Sequence, residues 1–136
     1  MGAPARLLLN IDVPDLAAAE AFYVAAFGLN PARRLGDGVV ELVGSGIAFY
    51  LLKKAVGSHG AGNSLRSYER HWTPLHCDWV VDDLDAALRQ AIAAGAQQEG
   101  PIREANWGRL VHLADPFGHG WCLLQFLGRG YDEIAT

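Results

Sequence analysis

Residues 75–95 read LHCDWVVDDLDAALRQAIAAG, and residues 7–28 read LLLNIDVPDLAAAEAFYVAAFG. Each stretch opens on a run rich in aliphatic and β-branched side chains, meets a carboxylate, and continues with apolar residues at helical spacing. In the later stretch Asp83 is the expected N-cap of a helix whose apolar stripe is Leu84, Ala87, Leu88, Ala91 and Ile92 and whose stop is Gly95. In the earlier one Pro14 denies the next ladder donor to a strand over 7–13, and Asp15 is the N-cap. Ala19, Phe22, Tyr23, Ala26 and Phe27 then form the stripe that Gly28 ends. Superposing the two puts Asp15 on Asp83, Leu16 on Leu84 and Asn10 on Asp78, each 68 positions apart in a chain of 136. An offset of half the length implies an internal repeat.

Working outward, the first helix is followed by strand candidates over 31–35, 39–43 and 47–52, separated by Asp37-Gly38 and Gly44-Ser45-Gly46, which is turn chemistry. The second is followed by strands over 97–103, 109–114 and 120–126, with Asp115-Pro116-Phe117-Gly118 turning the chain before the last. The expected class is α+β, two βαβββ modules in a single domain. Module one covers about 6–52, a linker rich in Gly and Ser covers 53–72, module two covers about 73–126, and a tail covers 127–136.

A formal net charge of -4 with scattered basic residues argues against a nucleic-acid partner, because that binding leans on clustered Lys and Arg. The apolar run near the start, Leu7 to Leu9, is soon followed by Asp12 and makes no signal-peptide core. The longest uncharged stretch, 42–52, is broken by Gly44 and Gly46 and falls short of the roughly 18 apolar residues a membrane span needs. No membrane partner and a cytoplasmic location are expected. Cys77 and Cys122 show no CxxC spacing and read as free thiols. The chain contains no GxGxxG, GK[ST], HExxH or GxSxG motif.

Three pieces carry a more specific signal: Val13-Pro14-Asp15-Leu16 with Phe22-Tyr23, Val81-Asp82-Asp83-Leu84, and Asp115-Pro116-Phe117-Gly118-His119-Gly120-Trp121. In that order and spacing, over residues 6–126, the chain resembles the vicinal oxygen chelate superfamily, which includes glyoxalase I, bleomycin-resistance proteins, fosfomycin-resistance enzymes and extradiol dioxygenases. The resemblance implies that each module curls its sheet into a half-barrel, eight strands in a mixed sheet around a small-molecule cavity. It also implies a homodimer.

In metal-using members of that superfamily, His or Glu ligands come from the first and fourth strand of each module. Read one at a time, the matching positions here hold Leu8, Tyr50, His76 and Cys122. A divalent ion needs at least three side-chain donors to hold it in preference to water. His76 and Cys122 are a fragment of a zinc site, and Asp78 would have to be recruited as a third ligand. No metal and no cofactor are therefore expected.

Strand alternation assigns the cavity face. Leu8, Asn10, His76, Asp78, Cys122 and Leu124 point inward, while Leu9, Ile11, Val13, Cys77, Trp79, Val81, Trp121 and Leu123 serve the core. Tyr50 and Leu52 join the inward set, giving apolar walls with a few polar groups, which suits a small organic ligand. His76 and Asp78 are the candidate catalytic pair for proton transfer, or equally a structural hydrogen bond. Trp107, in the turn Asn106-Trp107-Gly108, either closes over a ligand or anchors packing. The face of His112 is undecided. Arg66, Tyr68, Arg70 and His71 form either a lid that clamps an acidic ligand or a solvated loop, and the tail is exposed or a dimer contact. The functional expectation is a metal-independent small-molecule-binding protein similar to the bleomycin-resistance branch. The alternatives are a glyoxalase-like lyase or isomerase using His76 and Asp78, with or without metal, and a structural or partner-binding module.

Overall fold

Strand β1 (Leu8–Val13) leads through Pro14 into helix α1 (Leu16–Phe27). The Ala18 amide donates to Asp15 Oδ1 at 3.0 Å, and Gly28 ends the helix at φ 71°, a left-handed backbone that L side chains rarely adopt. Helix α1 is almost wholly apolar, and its packed face is Ala19, Phe22, Tyr23 and Ala26, all buried. Strands β2 (Asn30–Arg34), β3 (Val39–Val43) and β4 (Ala48–Lys53) complete a four-stranded sheet in the order β1-β4-β3-β2. The β1·β4 pair is parallel and the others antiparallel. Alternation along these strands buries Ile11, Val13, Val40, Leu42, Phe49 and Leu51, and Tyr23 packs on Phe49 with ring centroids 5.4 Å apart.

The plan then recurs. Strand β5 (Cys77–Val80) precedes helix α2 (Leu84–Ala94), where the Ala86 amide donates to Asp83 Oδ1 at 3.1 Å and Gly95 is the C-cap. Both N-caps anticipated from the sequence thus hold the third residue after them, at the same place in each copy. Strands β6 (Gln97–Gln98), β7 (Arg103–Ala105), β8 (Gly108–Ala114) and β9 (Gly120–Phe126) form a sheet in the order β5-β9-β8-β6, with β7 also paired to β8. Leu84, Leu88, Ala91, Val111, Leu113, Trp121 and Leu123 are its buried core, and each fully buried large side chain contributes about 2 kcal/mol of transfer free energy.

The structure is a computed structural model describing residues 2–136, and the chain divides into two units, Met1–Tyr68 and Glu69–Thr136. The α+β class and the repeated βαβββ plan are as expected, with the strands hydrogen-bonded in a sheet of four and a sheet of five. The ninth strand arises because 97–103 is not one strand. Gly100 takes φ 97° and Pro101 has no amide to donate, so the ladder breaks between β6 and β7.

Two other expectations change. His76 lies one residue before β5 rather than inside a strand over 75–81. The segment 53–72 is not a featureless linker. Its first part folds back as a small hairpin, with a bridge between His59 and Leu65, Tyr68 Oη donating to the Lys54 carbonyl at 2.7 Å, and Arg66 Nε donating to Asp12 Oδ2 at 2.7 Å. Its last part belongs to the second unit, where Arg70 makes a two-pronged pair with Glu99 at 2.8 and 2.9 Å. Arg66 and Arg70 are therefore engaged by carboxylates of the protein itself, which speaks against a clamp on an acidic ligand, one of the two readings of this segment. The tail is ordered onto unit two: Tyr131, in a short 3-10 helix (Gly130–Glu133), packs edge-on against Phe126 at 4.8 Å and beside Trp107 at 5.1 Å.

The turn between β8 and β9 is organised by Asp115, whose side chain has no exposure. It accepts from the Phe117 amide at 2.8 Å, the His119 amide at 2.9 Å, His119 Nδ1 at 3.0 Å and Trp121 Nε1 at 3.3 Å. A buried carboxylate is tolerated here because its lone pairs are taken by N–H donors. Among the described residues no helix is long and apolar enough to cross a membrane.

Candidate functional site

On the unit-one sheet, the face away from the core carries Leu8, Asn10, Tyr50 and Leu52, all placed there by alternation as expected, with Asn10 in register with Tyr50. Tyr50 is not free to bind. Its hydroxyl donates to Glu41 Oε2 at 3.0 Å, and Glu41, in register with Tyr50 on β3, also accepts from Arg33 at 3.0 and 2.7 Å. The Arg33 guanidinium, and after it the Tyr50 hydroxyl, hold the Glu41 carboxyl down at about 2. This Arg33–Glu41–Tyr50 group was not read from the sequence, because the register of β3 on β4 decides it and no motif announces that register.

On the unit-two sheet, the corresponding face holds a denser cluster. His76 Nε2 lies 3.5 Å from Asp78 Oδ1, and one ligand atom from each of His76, Asp78 and Cys122 falls within 4.8 Å of the others. Asp78 and Cys122 are register neighbours on β5 and β9, and Cys122 is the register partner of His112 on β8. His112 therefore belongs to this face, with Nδ1 2.9 Å from Cys122 Sγ. A signal existed in the sequence: the Asp115 turn sets Ala114 opposite Gly120, and counting two residues back along each strand pairs His112 with Cys122.

The proton positions follow from the partners. Arg103, on β7, can only donate, and its Nη2 meets His112 Nε2 at 2.7 Å, so that nitrogen supplies a lone pair and the imidazole proton sits on Nδ1. Nδ1–H then donates to Cys122 Sγ, and Asp78, the register partner of Cys122 on β5, lies near the thiol. Burial first, and next the charge and hydrogen bond of Asp78, push the Cys122 thiol up to about 12, against a smaller opposite pull from Arg103. The result is a chain running from Arg103 through His112 to Cys122, with Asp78 close to its end.

This order decides how the cluster suits a metal ion. Three donor atoms are near enough to share one ion, and the third is Asp78, the ligand that would have to be recruited. Their chemistry is a poor match for the superfamily's ion. One donor is a buried thiol already engaged by His112, and two of the four superfamily ligand positions carry Leu8 and Tyr50. No step is derived through a metal.

Around the cluster, Trp72 lies tilted against His76 with ring centroids 5.4 Å apart and meets His112 edge-on at 5.8 Å, with 59% of its surface exposed. It also lines a cleft of about 420 Å³ with Arg70, His71, Glu99 and His112. Of the other anticipated residues, Leu124 is buried beside Cys122, with exposed Val80 as its register partner on β5. Trp107 stands at the β7–β8 turn, its ring on Tyr131, which is the packing arrangement rather than a covering one. Cys77 and Cys122 are both free, on opposite faces of the sheet.

Comparison with known proteins agrees with this architecture. The glyoxalase-like domain family matches residues 9–124. An uncharacterized protein of Mycobacterium bovis is 31% identical over 121 residues, which is 85% of this chain and 80% of that one. An anthracycline biosynthesis protein of a Streptomyces species is 27% identical over 127 residues, covering 93% of this chain and 43% of the relative. Among solved structures, a fosfomycin resistance protein from Listeria monocytogenes superposes with a TM-score of 0.68 at 19% identity, covering 91% of this chain and 94% of that one. A lactoylglutathione lyase from Agrobacterium tumefaciens gives 0.63 at 22%, covering 91% and 96%. With two βαβββ copies, the closing Asp115 turn and these matches in agreement, the chain belongs to the glyoxalase-like domain family.

Proposed function

We propose that this chain binds a small organic molecule and does so without a resident metal ion or cofactor. The observation that carries the reading is the thiol of Cys122 engaged by His112 Nδ1 at 2.9 Å, while Leu8 and Tyr50 stand where two further ligands would be needed. The same sheet face leaves the indole of Trp72 and the side chain of Val80 exposed, a mixture of apolar surface and few polar groups that suits an organic ligand. The likeness to an anthracycline biosynthesis protein supports an organic rather than a purely ionic ligand. A cytoplasmic homodimer is the setting we assign. Free thiols suit a reducing compartment, and edge strands β1 and β5 each expose an aliphatic side chain, Leu8 at 52% and Val80 at 63%, suited to burial against a second copy.

A second reading, a glyoxalase-like lyase or isomerase, is favoured by one contact, His76 Nε2 to Asp78 Oδ1 at 3.5 Å with both side chains exposed. Under it, His76→Ala abolishes turnover while leaving ligand binding in place.

The test of the binding reading is a thermal-shift screen of chelator-treated protein against a diverse library. A ligand that binds only the folded state raises the apparent Tm. Stabilisation by organic compounds in the continued presence of chelator is the expected result. Stabilisation that appears only after a divalent ion is added, or none across the library, overturns it.

A further inference from the structure

The charges of unit two are unevenly matched. Glu99 holds Arg70, Asp85 holds Arg109 at 2.9 Å, and Glu133 holds Arg129 at 2.8 Å. Asp78 holds none: among the described residues no Lys or Arg comes within 4.0 Å of it, and its one ionic neighbour is His76 at 3.5 Å, too long for a good hydrogen bond. A carboxylate offers about four acceptor sites. With 36% of the Asp78 side chain exposed, part of that capacity is open to solvent. The guanidinium associated with this cluster, Arg103, binds Nε2 of His112, the ring edge away from Cys122.

Next to this carboxylate, through His76, stands the indole of Trp72, held by contacts with His76 and His112 and more than half exposed. The face of a tryptophan is the best aromatic surface for a cation. A carboxylate with no Lys or Arg within 4.0 Å, and an open indole on the other side of His76, are together the pair of features that recognises a protonated amine. An anionic group placed there would meet the charge of Asp78. A neutral one would strip water from the carboxylate and return no charge to it, at a cost.

We propose that Asp78 and Trp72 form a recognition site for an organic ammonium group, with the apolar body of the ligand lying along Trp72 into the cleft that this residue shares with His112. This inference rests on the small-molecule reading above and adds the charge class of the ligand.

Three probes of similar shape test it on the full chain at neutral pH and low salt: benzylammonium, benzyl alcohol and benzoate. Binding is followed through the indole N–H resonance of Trp72. Benzylammonium is expected to bind at least about tenfold more tightly than the other two. Asp78→Asn, which keeps the shape and most hydrogen bonds, should remove that preference, and Trp72→Leu, at an exposed position, should weaken benzylammonium without unfolding the chain. Equal or tighter binding of benzoate or benzyl alcohol overturns the ammonium assignment while leaving organic-ligand binding intact. A preference that survives Asp78→Asn overturns it, as does a Trp72 resonance unmoved by all three probes at millimolar concentration. The broader binding reading is then judged separately, by the library screen.

Discussion

At position 115 a carboxylate with no exposure answers to four N–H donors, so its removal leaves those donors buried and unpaired. Asp115→Ala should cost about 3 kcal/mol, read as a lower urea midpoint, because charge-assisted bonds and the stranded donors both count. A loss under about 0.5 kcal/mol would mean that water replaces the carboxylate, and the account of this turn would be wrong. The sequence shows a turn here, since Pro116 and Gly118 punctuate the chain. It does not show that the ring of His119 and the indole of Trp121 close on Asp115, because that depends on the path of the turn in space. The same limit applied to His112 and Arg103. Their roles are set by which ring nitrogen meets which neighbour, and no spacing rule contains that.

At the scale of elements, both helices, their caps and most strands were legible, because Asp15, Asp83, Gly28 and Gly95 act through local backbone geometry. What was not legible depends on register or on chain folding back. The split of β6 from β7 shows the first kind, and the hairpin of 57–66 closing on Asp12 through Arg66 shows the second. The Arg33–Glu41–Tyr50 group joins β2, β3 and β4 and makes a prediction about acid. Folding lowers the Glu41 carboxyl from 4.5 to about 2, so in that range the unfolded chain takes up the proton first and acid favours unfolding. Its contribution is fully present above about 4.5 and is lost as pH falls towards about 2. Denaturant titrations across that window should show a steeper loss for the natural chain than for Glu41→Gln. Parallel curves would show that the group adds nothing to stability.

For the whole molecule, the division at residue 68 reproduces the 68-residue offset between the two halves of the sequence. The repeated plan has diverged most where the superfamily places its ion: one copy offers Leu8 and Tyr50, the other His76 and Cys122. The central claim is that the donors of the second copy satisfy one another and leave the face to an organic ligand. Its most direct measurement is elemental analysis after the chelator-treated protein is dialysed against zinc, nickel, manganese or iron and then washed. The account predicts far less than one ion per chain for every metal, and the same for Cys122→Ser. One tightly held ion per chain, lost on Cys122→Ser, would contradict it.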